Sequence, residues 1–283
     1  MGASYSLQFD TWSTPMRYGE LRYRDVKHNP AKVLTPYIGY LYSPKIDGWN
    51  CIWDGHGQLW TRNGNRIHAP RAFLRHFPKG NSLAGELVVK GQNATAVASL
   101  KASESAPAWN QARFYVFDAP NHPGTFRERY AHYRKLVRGT PLRVVEQKTL
   151  DTVDGFMKDF DAIVHCTGEY EAHPCLGEGV VATNPESRYV HGRVGKDVRW
   201  KLKRRRDDEA RVVGYTRKNT LRVSWRGKRF TLALGMTDHQ RDDPESYFPV
   251  GSAVKFSYRK LSARGIPLEA RVLGKRHEST MVQ

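Results

Sequence analysis

Cysteine is scarce in this 283-residue chain, which has only Cys51, Cys166 and Cys175. The count is odd and no two lie at the close paired spacing of a zinc site, so a disulfide framework and a structural zinc are both disfavoured and reduced thiols are expected. Long apolar runs are missing as well. None approaches the roughly 20 residues of a membrane-spanning helix. Met1 to Pro15 is polar and lacks the roughly 7–15-residue apolar core of a secretory signal. An intracellular protein with no membrane partner is therefore expected. Acidic residues are in short supply: 28 Asp and Glu face 46 Lys and Arg, for a formal net charge of +18. A field of that sign attracts phosphate-rich polymers and makes their binding depend on salt. There is no internal repeat and no low-complexity segment, which excludes a solenoid or a disordered basic tail.

What is present is a globular composition, 39% apolar and 11% aromatic. From Ile38 to Val89 the chain reads as short strands broken by Gly, Asn and Pro: an apolar run to Tyr42, then Trp49 to Trp53, Gln58 to Arg62 and Leu83 to Val89. Phe126, Tyr130, Tyr133 and Val137 recur at helical spacing, as do Phe156, Phe160, Ile163 and Val164. Phe114 to Phe117, Gly179 to Ala182 and Arg199 to Leu202 add three strands. This makes an α+β first domain with mixed and antiparallel sheets over residues 1–206. The run Arg204 to Glu209 holds no apolar residue and suits a surface linker. Beyond it, Val212 to Tyr215, Leu221 to Trp225, Arg229 to Leu234, Ala253 to Tyr258 and Ala270 to Leu273 are five short strands. They suit a small barrel of the oligonucleotide-binding kind over residues 207–283. The positive excess is shared, with 31 basic against 19 acidic residues before position 207 and 15 against 9 from position 207 on.

The segment Ser43-Pro44-Lys45-Ile46-Asp47-Gly48-Trp49-Asn50 places a lysine where an apolar strand meets a turn. An amine attacks phosphorus only when neutral, so a nucleophilic lysine needs its pKa lowered. K-x-D-G alone equally describes a surface lysine beside a turn. Further segments follow in order: Thr61-Arg62-Asn63-Gly64, 16 residues after the lysine, Gly85-Glu86-Leu87, Phe114 to Asp118, Glu178-Gly179-Val180-Val181 and Lys201-Leu202-Lys203. Lys201 and Lys203 are two apart on a strand and so share a face. Glu86 and Glu178 sit on or beside apolar strands, where an unpaired carboxylate would be costly.

Together these segments resemble the covalent nucleotidyltransferases: DNA ligases, RNA ligases and mRNA capping enzymes. Tyr40 to Leu87, with Trp53-Asp54-Gly55 and Ile67 to Pro70, is most similar to the minimal ATP-dependent DNA ligases of bacteria and viruses. The resemblance spans residues 37–276. It implies a nucleotidyltransferase domain followed by a C-terminal OB-fold β-barrel, acting as a monomer on nicked double-stranded DNA with ATP and Mg²⁺ or Mn²⁺. In that scheme Lys45 carries AMP as a phosphoramidate. Ser43 reads the adenine edge, Phe117 stacks on the ring and Arg62 lies near ribose and phosphate. Glu86 and Glu178 serve ribose and metal, and Lys201 and Lys203 contact phosphates. In the second domain Trp225, Arg226, Lys228 and Arg229, with Tyr258, Arg259 and Lys260, are placed to hold the duplex. Arg271 to Arg276 is similar to the last family motif.

Two positions depart from the DNA-ligase pattern. Asn50 stands where an arginine usually meets phosphate, and Ala84 where an aspartate is usual. Asparagine at the first position is familiar in a group of RNA ligases, so an ATP-dependent RNA ligase is the alternative expectation, with Asn50 facing nucleic acid in either case.

Overall fold

The computed structural model describes residues 14–89, 97, 100, 104–170, 177–262 and 264–275; Cys175 and Arg276 lie outside them. The chain divides into two compact units, Met1–Lys203 and Arg204–Gln283.

The first unit carries strands β1 (Gly19–Leu21), β2 (Leu41–Pro44), β3 (Trp49–Trp53), β4 (Leu59–Thr61), β5 (Arg66–Ile67), β6 (Leu83–Val89), β7 (Ala112–Asp118), β8 (Arg143–Val144), β9 (Lys148–Thr149), β10 (Gly179–Thr183) and β11 (Arg199–Lys203). They form two sheets, ordered β5-β4-β3-β6-β7-β8 and β1-β11-β10-β2-β9. Pairing is antiparallel except for β1 with β11 and β7 with β8, so both sheets are mixed, as expected for α+β.

Each sheet has its own core. On the six-stranded sheet Phe114 and Val116 of β7 and Leu83, Leu87 and Val89 of β6 meet Tyr133 and Val137 of the Phe126–Val137 helix. That helix starts at a reciprocal cap, in which Thr125 and Glu128 each bond the other's backbone N–H. On the five-stranded sheet Val180, Ala182, Trp200 and Leu202 pack against Phe156, Phe160 and Ile163, the apolar stripe of the Val153–His165 helix. Alternation then decides what lies on the other face. Phe117 of β7 and Arg199, Lys201 and Lys203 of β11 point away from these cores.

The second unit is a five-stranded antiparallel sheet, β14-β13-β12-β15-β18, built from β12 (Arg206–Tyr215), β13 (Leu221–Trp225), β14 (Lys228–Leu232), β15 (Ala253–Tyr258) and β18 (Arg271–Lys275), with a separate hairpin of β16 (Lys260–Leu261) and β17 (Pro267–Leu268). The expected barrel is not closed by a continuous ladder. The stretch after β14 meets β18 through one bridge, Leu234 with Arg271, where Gly235 lets the backbone pass so close to Val272 that a Cβ would come within 2.3 Å of its carbonyl oxygen. This is a partly open sheet of the OB kind. Two short helices, Asp238–Asp242 and Pro244–Tyr247, link β14 to β15.

The charged run expected to be a linker is largely strand. Arg206 to Glu209 pair with Tyr258 to Lys255, because the ladder uses backbone groups and does not depend on side-chain charge. Trp225 and Tyr258 are core residues, 5.8 Å apart between rings, and so do not offer their faces to a duplex. No helix among the described residues is long and apolar enough to cross a membrane.

Candidate active site

Lys45 stands where the chain leaves one sheet of the first unit for the other. Its N–H donates to the Gly179 carbonyl at 2.8 Å, continuing the β2–β10 ladder by one step. Three residues on, Gly48 crosses β6 so closely that a Cβ would lie 2.4 Å from the Leu87 carbonyl oxygen and 2.6 Å from Val88. The glycine of K-x-D-G is thus required by a backbone crossing, and the crossing leaves Lys45 over the cleft between the sheets.

Carboxylates from both sheets converge on this lysine. Glu178, just before β10, accepts from Lys45 Nζ at 2.7 Å through Oε2 and is paired with Lys203 Nζ at 2.8 Å through Oε1. Burial pushes the Glu178 pKa up, but Lys45 and Lys203 more than offset it and hold it below the usual range. Glu86 lies on β6 opposite Asn50 of β3 and accepts from the Gly48 N–H. Its burial outweighs the help of Lys45, and the neighbouring Glu178 adds repulsion, so its pKa rises to about 7. Burial alone would lower the Lys45 pKa; Tyr18, Glu178 and Glu86 reverse it, and the amine is held protonated well above its ordinary value. The depressed pKa that nucleophilic attack requires is therefore not a property of these side chains by themselves.

The cleft encloses about 490 Å³, counting its open mouth. Ser43, Lys45, Asn50, Glu86 and Phe117 all line it. Asn50 Oδ1 is buried there without a protein partner among the described residues. Lys203 joins through its pairing with Glu178. Lys201 lies one pleat away, paired with Glu20 at 3.0 Å and 5.5 Å from the ring centre of Tyr18. Arg62 is on the exposed Thr61–Gly64 turn; its backbone N–H donates to the Asn50 carbonyl at 3.1 Å, but its side chain does not line the cleft.

Sequence reasoning missed Tyr18, Gln147, Thr183 and Arg199, which line the same cleft. Arg199 had a readable signal, since it extends the Lys201–Lys203 alternation by one step. Tyr18 had none, being in a polar stretch with no periodicity. In the second unit, Arg226 and Gly227 both adopt positive φ and form the tight β13–β14 turn. Arg226 donates to Asp208 at 3.0 Å and lies 4.6 Å over the Trp225 ring, while Lys228 and Arg229 are exposed.

Two mixed sheets bounding a lysine-bearing cleft, joined in sequence to an OB-like sheet, define the fold class of the covalent nucleotidyltransferases. Within that class the resemblance to the minimal ATP-dependent DNA ligases holds in sequence, in fold and in a family model. A DNA ligase OB-like domain matches residues 217–276. A DNA ligase of Haemophilus influenzae is 27% identical over 241 residues, covering 82% of this chain and 85% of its own. A structure from a study of Lig E DNA ligases superposes with a TM-score of 0.76 at 26% identity, over 94% of this chain and 100% of that one. The Chlorella virus DNA ligase–adenylate shares the fold at a TM-score of 0.52 and 19% identity, over 95% of this chain and 100% of that one.

Proposed function

We propose that this chain is an ATP-dependent DNA ligase that seals nicks between a 5′-phosphate and a 3′-hydroxyl, with Lys45 as its nucleophile. The observation that carries the assignment to Lys45 is its position: a lysine at the crossing between two sheets, bonded to Glu178 and facing a cleft lined by Glu86 and Phe117. In the first step the Lys45 amine attacks the α-phosphorus of ATP, the N–P bond forms, and the bond to pyrophosphate breaks. The amine must first give up its proton, which its ion pair with Glu178 at 2.7 Å opposes, so that pairing has to be loosened by bound charge before attack. AMP then passes to the 5′-phosphate of the nick, and the 3′-hydroxyl displaces it to close the strand.

Glu86 and Glu178 suit a divalent cation such as Mg²⁺, because they are hard oxygen donors from two sheets facing one lysine. No cluster of three or more His, Cys, Asp or Glu with ligand geometry exists among the described residues, so substrate phosphates would complete the shell. When bound, the cation would neutralise charge on the phosphoryl oxygens. Lys203 and Lys201 on β11 would hold phosphates, Phe117 would stack on the base, and Ser43 would meet its edge. Asn50 is a weaker candidate for nucleic acid than for the nucleotide itself, because it lines the cleft. Exposed Lys228 and Arg229 would meet the duplex backbone. The relatives found are DNA ligases, which favours DNA over the RNA-ligase alternative.

The test is incubation with α-labelled ATP and Mg²⁺, followed by nicked duplex. Label should appear on the protein, be absent from Lys45→Ala, and be released as AMP with sealing of the nick. Label retained on Lys45→Ala would overturn the assignment. Sealing only of nicks with ribonucleotides on the 3′-hydroxyl side would restore the RNA alternative.

A further inference from the structure

We propose that Arg199 is a specificity-determining residue that donates to a ring nitrogen on the edge of the bound purine, at the end of the cleft away from Lys45. This rests on the nucleotidyl-transfer reading above.

Position comes first. On β11, Lys203 pairs with Gly179, whose carbonyl holds the Lys45 N–H, whereas Arg199 pairs with Thr183. Four residues of strand separate the two levels, about 13 Å at the usual rise. Arg199, Lys201 and Lys203 share one face of the strand, and Arg199 is the one of the three that lines the cleft. The end marked by Arg199 is also aromatic. Its guanidinium lies 5.3 Å from the ring centre of Phe126, and both residues line the cleft with Phe117. With the α-phosphate at Lys45, a flat base belongs at this far end.

Donor accounting comes second. Arg199 is 4% exposed. A guanidinium has five N–H groups. Nε donates to Thr183 Oγ1 at 2.8 Å and Nη2 to Asp118 Oδ2 at 2.6 Å. The others, both on Nη1 included, have no acceptor among the described residues. Arg199 lines the cleft, so a ligand acceptor there can take up a donor that water would otherwise meet.

Charge comes third. Asp118, fully buried, also accepts from Arg129 Nε at 2.7 Å and from the Ala119 N–H at 2.9 Å. One carboxylate thus serves two buried guanidiniums, and the cluster keeps a net positive charge. Arg129 commits its Nη1 to the Gly124 and Ser187 carbonyls, so it is Arg199 that has donors left for a ligand. Asp118 immediately follows Phe117, which fixes the guanidinium relative to the stacking wall.

The test compares ATP with its 1-deaza, 3-deaza and 7-deaza analogues in single-turnover labelling of Lys45, using the full chain. In the native chain one analogue should show a KM raised about tenfold or more, the usual loss for a bond to a charged donor. In Arg199→Met, which keeps bulk without donors, that analogue and ATP should react alike. Arg199→Lys keeps a cation beside Asp118 without the fork, and should also lose the discrimination; it provides the test if the Met variant does not fold. Equal weakening of ATP and all analogues in the variants would make Arg199 a structural brace and overturn the proposal, as would the absence of any analogue penalty in the native chain. Failure of the native chain to label with ATP would instead sink the ligase reading itself.

Discussion

Replacing Glu86 by Gln should change how stability depends on pH, and the size of the effect follows from burial. Glu86 titrates at about 7 in the folded chain, against 4.5 for an ordinary glutamate, because desolvation and the neighbouring Glu178 outweigh the attraction of Lys45. Below the unfolded value both states hold the proton and the group contributes no penalty. As pH rises towards 7 the unfolded chain ionises while the folded one resists, so stability is lost across that window and the loss is complete above it. The gap between 4.5 and about 7 corresponds to about 3 kcal/mol. Glutamine does not titrate. The stability of Glu86→Gln relative to the native chain should therefore rise by about 3 kcal/mol between about pH 4 and pH 7 and then level off. Urea unfolding at a series of pH values, with no nucleotide or metal added, measures this directly. A difference that stays constant across the range would show that Glu86 is already ionised in the folded chain, and the desolvation argument would fail.

Other consequences follow from the same contacts. Asp118→Asn leaves Arg129 and Arg199 buried without their counter-charge and should cost about 3–5 kcal/mol in urea unfolding, the usual result of breaking a buried pair. The Asp118 pKa is held low by Arg199 and Arg129 against the effect of burial, so the native contribution should persist down to the ordinary carboxylate range and fade only as pH falls below it. Gly48→Ala forces a Cβ against the Leu87 carbonyl and should destabilise by roughly 1–3 kcal/mol while abolishing Lys45 labelling, because the crossing that places the lysine must shift. Charge removal at Lys228 and Arg229 should leave Lys45 labelling intact and flatten the salt dependence of nicked-duplex binding, the log–log slope falling by about 0.9 for each phosphate that is no longer neutralised. An unchanged slope would place the duplex elsewhere.

Parts of the fold were legible because local pattern and tertiary environment agree. β3 and β6 match their expected bounds, since each is a compact apolar run that sits in the middle of the sheet. The two long helices were visible as apolar stripes. β12 was hidden at its start, because Arg206 to Glu209 look like solvated charge and nothing in side-chain chemistry reports a backbone ladder. Two-residue strands such as β5 and β8 exist only through their partners and have no period to read. In the cleft, residue types at fixed spacing exposed Lys45, Glu86 and Glu178. Asp118 was visible only as a carboxylate ending a strand; that Arg129 and Arg199 bury it depends on a helix and a second sheet far away in sequence.

The arrangement also bears on how a lysine placed between carboxylates would serve as the proposed nucleophile. Glu178 belongs to the five-stranded sheet and Glu86 to the six-stranded sheet, and Lys45 is on the short segment that joins them. Its protonated amine is a counter-charge for carboxylates of both sheets. Any cation or phosphate entering the cleft competes for the same groups. A cation on Glu86 and Glu178 would remove the charges that raise the Lys45 pKa, and a triphosphate would compete with Glu178 for Lys203. Burial is the one force on Lys45 that acts in the opposite direction, and it remains when those charges are neutralised. A reactive, neutral amine would thus follow from binding, which would restrict attack to a cleft already filled.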